Sequence, residues 1–345
     1  MQLALGLMML VVGAELMVRS ALRVAARLHV RPLIVGLTVV AFGSSAPQMA
    51  ISTQAVLNGA PDIAVGSVVG SSVFSLLVTL GCCALITPLR VSRQLVRLDL
   101  PMMLGASALV FVLACKGPLG PVEGLVLLAA LAGYLLLLLR QAREHGRTYP
   151  TAPVPARTWP RCTIMFVAGI GLLVGGGRWL LEATVDVAGD LGLSERVIGL
   201  TLVAVSASLP ELVTSLIAAL RGQRDIAVAN VVGSNLFNLL GVLGFTALLA
   251  PLPLSVSPNA LAFDLPVMLG VAALSLPLFY SGLRVTRGEG LMLLALYAVY
   301  GLHLISFATG MPLAARLEHA MLRYVLPPIV LLIALTTWRA WRRQH

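Results

Sequence analysis

The chain has 345 residues, 59% hydrophobic and only 11% charged, with a mean hydropathy of +0.96 and a formal charge of +10 from 24 basic against 14 acidic residues. A water-facing surface needs about a quarter of its residues charged. The composition therefore excludes an ordinary soluble enzyme, a disordered chain and a secreted disulfide scaffold, and leaves a protein bathed mainly in lipid.

Apolar runs of bilayer-crossing length recur along the sequence and predict eleven helical spans, at 2–18, 32–57, 63–87, 98–115, 121–139, 162–181, 197–220, 226–250, 259–281, 289–308 and 321–338. The first follows Met1-Gln2 with no basic leader, so it reads as a span and not as a cleaved signal. With the connections numbered alternately, 19 of the 24 cations fall on one side, among them Arg19, Arg23, Arg90, Arg93, Arg140, Arg221 and Arg284. Lys116, Arg178, Arg196, Arg316 and Arg323 fall on the other. The asymmetry predicts a multi-pass protein of the cell (inner or plasma) membrane, N-terminus outside and C-terminus cytoplasmic. The lipid bilayer is then the partner of the Arg residues, and nucleic acid is not called for. The segment 140–161, rich in Pro and Arg, reads as a cytoplasmic linker between a five-span unit, 1–139, and a second, 162–308; residues 309–345 add the eleventh helix and a basic tail. Cys82, Cys83, Cys115 and Cys162 lack metal-ligand spacing and read as buried small hydrophobes.

Residues 35–81 align without a gap on residues 198–244, a constant shift of 163, with 24 identities in 47 positions. The matches include Pro47 with Pro210, Asp62 with Asp225, and Gly70-Ser71 with Gly233-Ser234. Ungapped Pro, Asp, Gly and Ser matches at one offset are a repeat and not shared composition. Because five spans is an odd number, the second copy enters the membrane from the opposite side, and inverted repeats of this kind characterise secondary transporters.

In each copy the apolar pattern breaks once, at Gly43-Ser44-Ser45-Ala46-Pro47-Gln48 and at Ser206-Ala207-Ser208-Leu209-Pro210-Glu211. Proline removes a backbone donor one turn downstream, so Pro47 frees the carbonyl of Gly43 and Pro210 that of Ser206. Free carbonyls at membrane depth survive only in sites lined by protein or water. The breaks predict interrupted second and seventh helices. Glu211 lies mid-span, where an ionised carboxylate costs about 2.5–3.5 kcal/mol on insertion scales, and is a functional candidate on that ground. At helical spacing Ser71 and Ser75 share a face, as do Ser234 and Asn238, and each pair can point oxygens at one centre. Hydroxyl, carbonyl and carboxylate oxygens suit hard cations such as sodium or calcium. Asp62, Asp225, Asp99 and Asp264 open helices and read as dipole caps; Glu15 and Arg178 read as snorkelling or paired; Glu182, Asp186, Asp190 and Glu195 form an acidic outer cluster. The five His read as lying at span ends or in loops, and no catalytic constellation points to an enzyme.

The two breaks, each followed by a GS-x-x-F segment, resemble the alpha repeats of the sodium/calcium exchanger family, within the calcium:cation antiporter superfamily and of prokaryotic type. The family motif, GTSLPE followed after about 20 residues by GSNxFN, is matched closely by SASLPELVTSLIAALRGQRDIAVANVVGSNLFN and more loosely by GSSAPQMAISTQAVLNGAPDIAVGSVVGSSVFS. The likeness covers about residues 1–308 and implies an all-α membrane protein of two inverted five-helix repeats, to which this chain adds the eleventh helix. It implies ion ligands at Ser44, Ser45, Gln48, Ser71 and Ser75 in the first copy and at Ser208, Glu211, Ser234 and Asn238 in the second, with Gln48, Glu211 and Asn238 nearest the metal. The substrates implied are inorganic cations (Ca2+, Na+ or H+), with no cofactor, and the mechanism is alternating access with Gln48 and Glu211 facing each other. The chain departs from the family pattern at Gln48, where a glutamate is usual, and at Ser72, Ser75 and Ala207. A centre with one carboxylate in place of two leaves open a monovalent cation/proton antiporter on the same scaffold, or a regulatory homologue that does not transport.

Overall fold

The computed structural model describes residues 2–28, 30–145, 159–190, 203–280 and 282–309. Nine helices among them are long and apolar enough to cross a bilayer: α1 (Gln2–Arg27), α2 (Pro32–Leu57), α3 (Pro61–Ile86), α4 (Leu95–Lys116), α5 (Pro121–Ala142), α6 (Pro160–Val185), α8 (Arg224–Leu249), α9 (Ala260–Tyr280) and α10 (Arg287–Phe307). The shorter α7 (Val205–Leu220) stands where the seventh span is expected. The span 321–338, most of the linker 140–161 and Glu195 lie outside the described residues.

The helices start where the sequence lacks donors to waste. Pro32, Pro61 and Pro121 open α2, α3 and α5, where a missing N–H costs nothing because the first turn's amides are unpaired anyway. Thr286 and Glu289 close a reciprocal capping box at the start of α10. The turns from α2 to α3 and from α7 to α8 have the same construction. Gly59 (φ 78°) and Gly222 (φ 74°) take the left-handed position that ends a helix, and Ala60 N–H donates to Ala55 O just as Gln223 N–H donates to Ala218 O, each at 2.9 Å.

The polarity of the assembly is the reverse of a soluble protein's. Leu125, Leu136, Ile164, Val167 and Leu291 project outward, while Ser44, Gln48, Ser71, Glu211, Asn230 and Asn238 are buried at the centre. α8 is enclosed except near its ends, at Asp225, Phe245, Leu248 and Leu249, and α3 is buried through its middle, whereas α5, α6 and α10 form the apolar rim. Close helix crossings occur where side chains are absent. A Cβ on Gly13 would stand 2.9 Å from Gly169 O, and one on Gly169 would stand 2.9 Å from Gly13 O; Gly6 and Gly176 oppose each other in the same way one crossing along. These contacts weld α1 to α6 backbone to backbone.

Several sequence expectations are revised here. Pro47 and Pro210 lie inside continuous helices, so α2 and α7 are not interrupted. One lost donor does not end a helix whose flanking backbone bonds persist; the local distortion is the wider π-helical segment Gly36–Val40 ahead of Pro47. Asp99 and Asp264 are not caps. Each accepts a hydrogen bond from a tyrosine of the next helix, Tyr134 at 3.1 Å and Tyr300 at 3.0 Å, because a phenol at membrane depth needs an acceptor that no water supplies. Cys83 and Cys162 are buried, but Cys82 is half-buried and Cys115 exposed on the lipid side of α4, where a thiol is as apolar as its surroundings require. His303 is not at a span end: it is buried on α10, its ring centroid 3.7 Å from that of Phe263. Arg178 pairs with Glu182 at 3.0 Å, and Glu15 pairs with Arg19 and Arg221, as expected of paired charges at the rim. Asp62 and Asp225 stand in the first turns of their helices.

The glycine weld gives a test. In Gly169→Val the new Cβ meets the backbone of α1, and overpacking of this kind costs about 1–3 kcal/mol. The expected outcome is a thermal midpoint in detergent lowered by several degrees. Gly171→Val, at a position where a Cβ meets nothing within 4 Å, should leave the midpoint unchanged.

Candidate ion-binding site

The two prolines aim at one place. A Cβ added to Gly177 of α6 would lie 3.4 Å from Pro210 and 4.0 Å from Pro47, so the proline-bearing turns of α2 and α7 both come against that helix. One residue beyond Pro210, Glu211 carries its carboxylate into the space between α2, α3, α7 and α8, almost wholly buried. Its Oε1 accepts from Asn238 Nδ2 (2.9 Å) and Ser45 Oγ (3.2 Å), and its Oε2 accepts from Ser75 Oγ (2.5 Å). Each of the three surrounding helices thus supplies one neutral donor. Among the described residues no Lys, Arg or His forms an ion pair with it.

Around this group the other predicted residues divide. Ser71 and Ser208 share a hydrogen bond of 2.7 Å across the two halves. Ser44 Oγ donates to Asn230 Oδ1 at 2.9 Å, and Ser234 Oγ donates to the Val231 carbonyl of its own helix. Gly43 and Ser206 are buried beside their prolines, and Gly43 packs against Met17 of α1. Gln48 departs from expectation. It makes no hydrogen bond to Glu211; its Nε2 is turned aside to Ser52 Oγ (3.1 Å) and Ser67 Oγ (2.9 Å). The reason is chemical: an amide nitrogen brings two donors that must find acceptors when buried, and those two hydroxyls are the ones in reach.

Two buried carbonyl oxygens, Gln48 Oε1 and, on the asparagine that donates to Glu211, Asn238 Oδ1, have no hydrogen-bond partner. An orphaned buried acceptor costs free energy unless something electropositive fills the gap. Together with the carboxylate and the serine hydroxyls they make a buried cluster rich in oxygen acceptors, with one carboxylate and with its amide nitrogens engaged as donors, a set suited to a hard cation or a proton.

Sequence reasoning singled out Ser71, Ser75, Ser234 and Asn238 but missed Ser52, Ser67, Ser215 and Asn230, all buried and polar. The signal was present. Residues 67, 71 and 75, and 230, 234 and 238, are spaced by four, so the polar stripe on each helix extends one turn further back than the family motif.

Comparison with known proteins supplies the context for this geometry. A family profile described as "Sodium/calcium exchanger protein" matches residues 1–140 and 162–306. The chain belongs to the sodium/calcium exchanger family. CaxA of Alkalimonas amylolytica is 34% identical over 306 residues, 86% of this chain and 95% of CaxA. Inner membrane protein YrbG of Escherichia coli (strain K12) is 33% identical over 307 residues, 86% of this chain and 94% of YrbG. The fold is similar to that of the sodium-calcium exchanger NCX_Mj, with a TM-score of 0.75 and 27% identity over 86% of this chain and 95% of that one. The chain is thus a multi-pass, all-helical membrane protein of an exchanger family, a transporter and not an enzyme. Its family motif coincides with the four helices around Glu211.

The donors to Glu211 differ from nearby hydroxyls in a measurable way. Ser75→Ala strips Oε2 of its partner, and a buried charged group left unsatisfied costs about 1–3 kcal/mol or more. Ser72→Ala removes a hydroxyl that bonds only to Val68 O of its own helix. At neutral pH, Ser75→Ala should lower the thermal midpoint by several degrees and clearly more than Ser72→Ala, whose buried hydroxyl bonds only a carbonyl of its own helix.

Proposed function

We propose that this protein is a secondary active cation antiporter of the calcium/sodium exchanger type, in which one cation at a time occupies the centre around Glu211 and is exposed to each side of the membrane in turn. The observation that carries the reading is the Glu211 carboxylate, buried among neutral donors from three other helices. The ligands are Glu211, Asn238, Gln48, Ser44, Ser45, Ser71, Ser75, Ser208 and Ser234, with Gly43, Pro47, Ser206 and Pro210 shaping the two turns; calcium, sodium or a proton is the substrate, and no cofactor takes part.

The architecture behind it is two inverted repeats, 1–139 and 162–308, joined by the cytoplasmic linker 140–161 and followed by an eleventh helix within 309–345, with the N-terminus outside. Reciprocal contacts support the inversion. Gly6 and Gly13 are each 163 residues from Gly169 and Gly176, and the pairs cross: Gly6 meets Gly176 and Gly13 meets Gly169. Gly81 meets Gly290 of α10, and Gly244, 163 residues on, meets Gly124 of α5. Leu89 pairs with Val285 in a two-stranded clip while Leu119 pairs with Leu254 in its counterpart. Two equivalent halves can exchange conformations, which is what alternating access demands. Exchange, as opposed to leak, follows because an empty charged centre is costly to carry through a dry intermediate.

One observation favours a second reading: with Gln48 and Asn238 uncharged, the centre offers a single carboxylate, which matches a monovalent cation or a proton better than Ca2+. Uptake of radioactive calcium into proteoliposomes, with and without an opposing sodium gradient, separates the two. In either case Glu211→Gln should abolish cation-driven exchange while preserving the fold; exchange persisting in that variant would refute the role of Glu211.

A further inference from the structure

In each half of the protein a primary amide ties a serine of the proline-bearing helix to the helix after it, but the two halves draw that amide from different residues. In the first half it is Gln48: its Nε2 donates to Ser52 Oγ of α2 at 3.1 Å and to Ser67 Oγ of α3 at 2.9 Å. In the second it is Asn230 of α8: its Nδ2 donates to Ser215 Oγ of α7 at 2.9 Å, and more weakly to the Glu211 carbonyl at 3.4 Å, while its Oδ1 accepts from Ser44 Oγ at 2.9 Å. Positions 48 and 211, 52 and 215, and 67 and 230 are each separated by the repeat shift of 163. All six side chains are buried.

The difference decides where the charge points. A carboxylate only accepts, so Glu211 could not supply the donor that Ser215 receives. With Asn230 supplying it, Glu211 is released to face Ser45, Ser75 and Asn238. In the first half Ser67 spends its proton on Ala64 O at 3.1 Å, so the tie falls to the side chain at 48, which is held to the flank by it. Asn230 also fixes Ser44: a hydroxyl that donates to Asn230 has its lone pairs free for the centre.

We infer that Asn230 is a positioning residue for the cation site, and that the charge presented to the transported ion is set by the coupled positions 48 with 67 and 211 with 230, not by position 48 alone. The inference rests on the functional reading above and deepens it. It carries a specific corollary. Gln48→Glu by itself places a carboxylate beside the hydroxyls of Ser52 and Ser67, away from the centre. Adding Ser67→Asn transfers the tie to the second residue, as in the other half, and Ala207→Ser restores the hydroxyl that Ser44 provides opposite Asn230, position 207 being 163 beyond 44. The triple variant then presents two carboxylates to the centre and suits a divalent ion.

The test uses the full-length protein in proteoliposomes, with sodium and calcium as the probes, and reads half-saturating concentration, maximal rate and the cation-dependent shift of the thermal midpoint. In Asn230→Ser the half-saturating sodium concentration should rise about tenfold, the equivalent of one charged hydrogen bond's orientation, with the maximal rate falling less. Glu211→Gln/Asn230→Ser copies the first half's tie, with the amide now at 211, and should fold as well as wild type while losing the cation-dependent shift. Calcium dependence should be small in Gln48→Glu and at least about tenfold stronger in the triple variant, in line with the greater affinity that added ligand charge brings. Wild-type half-saturation in Asn230→Ser, or a calcium gain in Gln48→Glu equal to that of the triple variant, overturns the inference and leaves the functional reading intact. No cation response in the wild type removes that reading and the inference together. Should Asn230→Ser fail to fold, recovery of the fold in Glu211→Gln/Asn230→Ser supports the shared tie, and failure of both overturns it.

Discussion

The rest of the structure is arranged around a carboxylate that has no counterion among the described residues. Glu211 is buried where water does not reach, and its oxygens are met by a serine from α2, a serine from α3 and an asparagine from α8. Neutral donors soften the cost of a buried charge without cancelling it. A fixed lysine or arginine there would cancel it permanently and leave nothing for a mobile ion to do. The absence of an ion pair among the described residues, in a chain with 24 basic side chains, fits a charge kept for an ion that comes and goes.

That constraint accounts for features that otherwise look unrelated. Donors from three neighbouring helices can converge on one carboxylate only if the helices approach closely, and small residues line the approaches. A Cβ on Gly233 of α8 would stand 2.7 Å from Leu37 O of α2, and Gly13 with Gly169 bring α1 and α6 to backbone contact. The polar stripes on α3 and α8 face inward because lipid would exact their full desolvation cost, so burial of Ser71, Ser75, Ser234 and Asn238 is enforced by the solvent outside. Several polar groups away from Glu211 are satisfied locally: Thr214 Oγ1 returns to Pro210 O at 2.7 Å and Thr246 Oγ1 to Val242 O at 2.7 Å, while Tyr134 and Tyr300 donate to Asp99 and Asp264; Thr53 Oγ1, Thr79 Oγ1 and Asp99 Oδ2 are buried without a partner.

What was legible in the sequence follows the same physics. The spans could be read because lipid imposes apolar runs of fixed length, and the repeat because turn glycines and helix prolines tolerate no substitutes: Gly59 and Gly222 recur with Pro47 and Pro210 at one offset. Glu211, Ser75 and Asn238 were legible because a charge in a span is conspicuous and spacing by four puts residues on one face, and Ser45 through the family motif. Three things were not. The run of α2 and α7 through their prolines depends on how neighbouring helices support the turn, which a local pattern does not encode. The Asp99–Tyr134 and Asp264–Tyr300 pairs join helices at separations of 35 and 36 residues, with no periodicity to announce them. The orientation of Gln48 depends on which acceptors lie within reach of its amide, and so on Ser67 of a different helix.

The halves agree in scaffold and disagree in chemistry, and the disagreement is concentrated. Pairing positions by the repeat shift, Pro47 and Pro210, Ser45 and Ser208, Ser52 and Ser215, and Ser71 and Ser234 are the same residue; Gln48 and Glu211, Ser67 and Asn230, Ser75 and Asn238, and Ser44 and Ala207 are not. The shared residues shape the turns and the cross-half contact, which must be equivalent if two related conformations are to have comparable free energy. Of the unlike residues, Glu211 and Asn238 are bonded to each other, Ser75 donates to Glu211, and Asn230 bonds Ser44. Symmetry among them would leave two equal half-sites competing for charge; breaking it concentrates the formal charge on Glu211 and fills the mirror position with an amide whose nitrogen is already engaged and whose oxygen is free. Two sequence-related halves can thus share their packing and differ in their charge, because packing and charge are written in different residues.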